Sequence, residues 1–133
     1  MNTWIIAIDF DGTIVEDRFP EIGDLKPGAV EAINQLYADG YTIIIWTCRT
    51  GINKARAVEF LAKAGIKWHY FNESSIANLK LHNFNDTRKV YADLYIDDRG
   101  LYRPMPQWKD IYEMIRAYYC PTYADKVGLE GFL

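Results

Sequence analysis

The stretch Ile5-Ile6-Ala7-Ile8-Asp9-Phe10-Asp11-Gly12-Thr13 limits what this chain can become more than any other. An apolar, β-branched run stops abruptly at two carboxylates, a glycine and a threonine. Runs that are hydrophobic throughout, rather than alternating, belong to parallel strands buried on both faces. In open α/β sheets, ligands gather beyond the carboxyl ends of such strands. Asp9 and Asp11 therefore stand where chemistry is expected, and Gly12 leaves the chain free to turn sharply.

Two carboxylates this close repel, and both stay ionised only if a cation intervenes or a proton is shared. Mg²⁺ answers that need, because it takes hard oxygen ligands from one or two carboxylates together with substrate phosphate. One carboxylate can then attack phosphorus while the other protonates the leaving group. A structural cation loop, or a carboxylate pair capping the next turn, is the plainer alternative. An EF-hand loop fits poorly, since the glycine comes too early and Thr13 stands at the third acidic position.

The remaining chain repeats the strand-then-cluster plan. Residues 41–46 form a second apolar run, ending in Thr47-Cys48-Arg49-Thr50-Gly51, and Leu94-Tyr95-Ile96 ends in Asp97-Asp98-Arg99-Gly100. Residues 15–26 are polar and acidic, with Pro20 and Gly23, and read as a loop or small flap beside the active end. Pro27 suits a first helical position, with Val30, Ile33, Leu36 and Tyr37 at helical spacing and Gly40 as the stop. Asn53 is the expected cap of a second helix that turns Val58, Leu61, Ala62 and Ala64 inward and ends at Gly65. A shorter strand is expected over residues 67–71, then loop over 72–86 with room for one helical turn. Trp108, Ile111, Tyr112, Ile115 and Tyr119 make a helical stripe, read as core packing rather than a cofactor box. Strands alternating with helices predict a parallel sheet in an α/β fold.

At 133 residues the chain is long enough for one domain, 1–133, with a sheet covered on both faces. Its 15 basic and 18 acidic residues give a net charge of −3 and no long basic run, which weakens a reading built on wide nucleic-acid contact. Cys48 and Cys120 are far apart and in no ligand spacing, which argues for a reducing compartment and against a zinc site. The chain enters its first strand with no basic leader and holds no membrane-length apolar run, so no membrane is expected and the cytoplasm is the expected setting. Tyrosines thicken toward the C-terminus, where an aromatic tail offers a contact surface for an oligomer.

Three strand ends side by side would make one acidic pocket with a hydroxyl and at least one cation. That meets the needs of phosphoryl transfer: a nucleophile, a general acid, a metal site and donors for phosphate oxygens. On these motifs, and most specifically on DFDGT, the chain resembles the haloacid dehalogenase-like superfamily over nearly its whole length. The resemblance implies a Rossmann-like three-layer α/β/α fold and a phosphatase that passes through an aspartyl-phosphate. It makes Asp9 the nucleophile and a Mg²⁺ ligand, and Asp11 the general acid/base with a second ligand from its backbone carbonyl. Thr47 would hydrogen-bond the transferring phosphoryl group, and Asp98 would bind the metal directly with Asp97 orienting the pocket. Lys89, just upstream of the last strand, is the preferred catalytic lysine, with Lys80 its competitor. Arg49 and Arg99 suit bidentate contact with substrate phosphate, the alternative for each being a structural ion pair. His69 and His82 have no partners in the motifs and read as structural or surface residues. Cys48 reads as a neighbour of the chemistry, since a tyrosine phosphatase would need an arginine where Lys54 stands.

Neither gap between motifs is large enough for a usual cap domain, so the resemblance is to the capless branch, in which an open pocket often accepts bulky or polymeric phosphates or is closed by a partner subunit. The expected substrate is a phosphorylated small molecule or a phosphorylated polymer end. The Arg88-Lys89 pair upstream of the acidic strand end also resembles polynucleotide 3′-phosphatase domains, a nucleic-acid substrate that the acidic balance does not favour. A phospho-accepting switch like the receiver domains is a rival of another class, although those place a single acceptor aspartate on a middle strand. A binding protein that kept the fold without turnover comes last, because every catalytic residue type is present.

Overall fold

The fold is built outward from that first apolar run. The computed structural model describes residues 3–120. Its elements follow as β1 (Ile5–Ile8), β2 (Val15–Arg18), β3 (Glu21–Leu25), α1 (Ala29–Ala38), β4 (Thr42–Ile45), α2 (Gly51–Lys63), β5 (Tyr70–Phe71), α3 (Ile76–Leu81), β6 (Leu94–Ile96) and α4 (Trp108–Tyr118). All four residues of β1 are buried. It lies between β4 and β6 in a parallel sheet of order β5-β4-β1-β6. Ile8 is in register with Ile45 on one side and Ile96 on the other. The three polar clusters that follow these residues are thereby delivered to the same edge of the sheet.

Alternate residues of β1 and β4 face two apolar clusters. Ile6, Ile8, Ile43 and Ile45 pack with Ile33 and Leu36 of α1, Ala57 and Leu61 of α2, and Trp108, Ile111 and Ile115 of α4. Ile5, Ala7 and Ile44 face the other way, covered by Val90 and Ala92 on the chain returning from β5 to β6. The expected α/β architecture with a central parallel sheet is present. Between β1 and β4 the chain adds only a hairpin and α1, and between β4 and β6 only α2, β5 and α3, so no large cap is present among the described residues. No described helix is long and apolar enough to cross a membrane.

Several boundaries differ from the sequence reading, each for a local reason. The expected loop over 15–26 is an antiparallel hairpin of β2 and β3, bulged between Val15 and Asp17 and turning at Phe19-Pro20. Only at Gly23 could β3 lie this close to its partner, for a Cβ there would stand 2.2 Å from the Glu16 carbonyl oxygen. Pro27 stays outside α1, whose cap is Gly28. Thr50 rather than Asn53 precedes α2, which puts Asn53 inside the first turn. The strand expected over 67–71 is paired only at Tyr70–Phe71, and the single turn allowed in 72–86 is α3, capped by the Ser75 hydroxyl. The stripe on α4 is core, as expected, with Trp108, Ile111 and Ile115 buried. The tail beyond Cys120 lies outside the described residues.

Candidate active site

Asp9, Asp97 and Asp98 come together at the carboxyl edge, each offering a carboxylate oxygen within 4.8 Å of the others. The ladder carries them there: the Asp9 N–H donates to Ile96 O at 2.9 Å, one step beyond the last paired residues of β1 and β6. The following turn is wound tightly, with the N–H groups of Thr13 and Ile14 both reaching Phe10 O (3.2 and 2.9 Å). Gly12 holds φ 84 in this turn, and a Cβ on it would lie 2.2 Å from Asp98 Oδ2. Its missing side chain is the space that Asp98 fills.

Thr13, wholly buried, knits the cluster together. Its hydroxyl oxygen accepts from the Asp98 N–H at 3.0 Å and lies 3.1 Å from Asp9 Oδ2 and 3.4 Å from Asp98 Oδ1, with one proton to give. Across the molecule, Trp108 Nε1 donates to Thr13 O at 2.9 Å, so α4 holds the turn from behind. Burial pushes the Asp9 carboxyl up to about 7, with the negative charge of Asp97 adding to it and the Thr13 hydrogen bond opposing. Three carboxylates so arranged fit a hard divalent cation: all donors are oxygen, and the charge that burial disfavours is what such an ion would neutralise.

Asp11 is not in this cluster. Its carboxylate makes a two-pronged pair with Arg49, Nε to Oδ2 and one terminal nitrogen to Oδ1, both at 2.7 Å. Arg49 is 1% exposed. Its remaining donors go to the carbonyls of Pro20 (3.1 Å), Glu21 (3.0 Å) and Asn53 (3.4 Å), and its guanidinium lies 5.3 Å from the Phe10 ring centre and 5.0 Å from that of Phe19. All five N–H groups of the side chain are thus used. This corrects the expectation that Arg49 grips substrate phosphate: it is the structural ion pair, and no donor is left for a ligand.

Thr47 ends the second run as expected, its N–H held by Asn72 Oδ1 at 2.7 Å and its hydroxyl oxygen accepting from the Arg49 N–H at 3.2 Å. Asn72, with φ 56, is a positioning residue that sequence reading missed, because nothing local marks a side chain that serves a strand 25 residues earlier. Arg99 is exposed, its backbone N–H on Asp97 Oδ1 at 2.9 Å and its guanidinium 3.7 Å from Asp17 on the hairpin. Neither lysine is brought onto the cluster. Lys89 lies 4.9 Å from the Tyr95 ring centre, and Lys80 is exposed in the last turn of α3. His69 is structural, as expected: it accepts from the Ile43 N–H, stacks on Tyr37, and burial pulls its pKa down. Cys48 is exposed and unpaired. Beside Asp97, a groove of about 1090 Å³ runs between β6 and α4, lined by Tyr95, Tyr102, Met105, Met114 and Tyr118.

No protein-family model and no curated protein matches this chain. A solved structure of a conserved protein from Bacteroides thetaiotaomicron does, at 38% identity over 93% of this chain and 97% of that one, with a TM-score of 0.78. The chain belongs to that protein's family. Likeness on this scale covers the bulk of both chains, so the α/β core is a property of this Bacteroides-type family and not of one member. The family carries the fold.

Proposed function

We propose that the chain is a Mg²⁺-dependent phosphomonoester hydrolase of haloacid dehalogenase type, working through an aspartyl-phosphate. The observation that carries the reading is the cluster of Asp9, Asp97 and Asp98 at the carboxyl edge of a parallel sheet, with Asp9 half-buried and its carboxyl raised to about 7. Asp9, Asp97 and Asp98 would hold the ion. When bound, it would keep Asp9 ionised at neutral pH and offset charge on the phosphoryl oxygens.

An Asp9 oxygen attacks phosphorus as the bond to the ester oxygen breaks, and Asp11, having left Arg49 and taken up a proton from solvent, gives that proton to the departing oxygen. Asp11 then takes a proton from the water that cleaves the acyl phosphate. Thr47 would serve the phosphoryl oxygens, and a lysine, Lys89 before Lys80, would join it only by turning its side chain toward the cluster. Because Asp11 pairs with Arg49, its part requires the side chain to turn toward Asp9. The aromatic groove beside Asp97 suits a substrate with a ring, and a polymer end phosphate remains the second substrate class. The free cysteines accord with a cytoplasmic setting.

Hydrolysis of an aryl phosphate should require Mg²⁺, stop with EDTA and be abolished by Asp9→Asn. Asp11→Asn should slow turnover by about 10²- to 10⁴-fold, the usual worth of a general acid/base. Near-normal activity in Asp9→Asn would sink the mechanism. The pairing of Asp11 away from the cluster gives one specific support to the phospho-accepting reading, in which the aspartyl-phosphate outlives turnover. A phosphoenzyme lasting many minutes would select it, and one lasting seconds the hydrolase.

A further inference from the structure

Arg49 divides its five donors among three places: two go to the Asp11 carboxylate, two to carbonyls of the hairpin turn, Pro20 and Glu21, and one to the Asn53 carbonyl in α2. We propose that Arg49 is a positioning residue that couples the hairpin to Asp11, so that the Asp11 carboxylate and the hairpin turn are held, and released, together. The part of this that concerns turnover rests on the proposed role of Asp11; the coupling itself does not.

The tie follows from burial. A guanidinium that is 1% exposed is tolerable only while its charge is matched and its donors are satisfied. Asp11 is the one carboxylate that pairs with it among the described residues. Were Asp11 to turn toward Asp9, the charge left behind would have to regain water. The hairpin stands in the way, since Phe19 lies against the guanidinium and the turn carbonyls close the remaining donors. Rehydrating Arg49 therefore means lifting the turn.

The surroundings allow that motion. β2 and β3 pack chiefly on each other, and the hairpin turn and α2 are opposite walls of a cleft of about 610 Å³ lined by Pro20, Glu21, Arg56 and Phe60. The root is fixed, with Val15 buried in the core and the Lys26 N–H bonded to Ile14 O. The other ion pair on the hairpin, Arg99 with Asp17 at 3.7 Å, is exposed and offers little restraint. Opening pivots at the root and is governed at the tip.

The test is amide hydrogen exchange of the full-length protein, without substrate, for wild type, Asp11→Asn, Arg49→Gln and the double variant. Each single variant should speed exchange across residues 15–25 by about tenfold or more while β1 and β4 keep their protection, which shows that the body stays folded. Because both substitutions break one linkage, the double variant should exchange about as fast as the faster single one; multiplied effects would mean independent roles and overturn the coupling. Hairpin exchange within about twofold of wild type in Asp11→Asn would also overturn it. That variant keeps all five guanidinium donors in place, so it decides the matter if Arg49→Gln does not fold. On an aryl phosphate, Arg49→Gln should change kcat and its pH profile. A protein that hydrolyses no phosphate yet shows the coupled exchange would fail the hydrolase reading alone, and one that needs Asp9 and Mg²⁺ but shows uncoupled exchange would fail this one alone.

Discussion

At the scale of single residues, the site is governed by two facts about Asp9 and Gly12. Asp9 is more easily protonated folded than unfolded, its carboxyl moving from 3.8 to about 7. A raised pKa stabilises the fold below the unfolded value and loses that stabilisation as pH rises through the folded one. Metal-free protein should therefore lose up to a few kcal/mol of stability between about pH 4 and pH 7, read as a falling midpoint in denaturant titrations. Asp9→Asn should flatten that slope, and a divalent cation should offset it at pH 7; a slope unchanged in Asp9→Asn would show that another group sets it. Gly12→Ala meets both a positive φ, worth about 1–2 kcal/mol, and the Asp98 carboxylate. It should lower thermal stability and weaken the proposed Mg²⁺ binding, measured by calorimetry, more than alanine at the equally left-handed but open Gly40.

At the scale of elements, what the sequence told depended on how each element earns its place. The strands β1 and β4 were legible because burial on both faces demands unbroken apolar runs, β6 because its short apolar run ends in an acidic pair although Tyr95 is exposed, and α4 because its stripe of Trp108, Ile111 and Ile115 repeats at helical spacing. The hairpin was not, since three of the four residues of β2 are exposed and its cohesion comes from backbone pairing and from Arg49 at its turn. The start of α2 was misplaced at Asn53 because a capping residue type is common, whereas the turn at Thr50 and Gly51, with φ 55, depends on tertiary context. In the site, the identities of Asp9, Asp97 and Asp98 could be read from strand ends. The choice of Arg49 as partner for Asp11 could not, because either arginine satisfies the pattern and only burial separates them. Gly23→Ala is the element's own test. A Cβ there would collide with the Glu16 backbone, so β2 and β3 should part and residues 15–25 become prone to proteolysis while the far-ultraviolet spectrum of the body is kept.

At the scale of the whole molecule, the site is assembled from both ends of the described chain. Thr13 and Asp98 are 85 residues apart, and the Trp108 indole reaches back 95 residues to Thr13. Trp108→Phe keeps the ring in the core and removes that one donor, which should cost about 1 kcal/mol in stability. Its larger effect should fall on cation affinity, because the turn bearing Gly12 and Thr13 loses its brace; equal Mg²⁺ affinity in the two proteins would detach α4 from the site. Coverage of the sheet is uneven, helices α1, α2 and α4 lying on one face and Val90 and Ala92 on the other.

The same unevenness runs through the cluster itself. Asp9 extends β1, which is paired on both sides, whereas Asp97 and Asp98 extend β6, three residues long and, among the described residues, bonded only to β1. Edge strands of this length are among the first parts of a fold to fray and central strands among the last. One of the three carboxylates is therefore fastened to the most durable part of the molecule and two to one of its most easily loosened. The cluster can come apart and re-form while the protein stays folded, and whatever binds all three carboxylates at once would act as a rivet on the edge of the sheet.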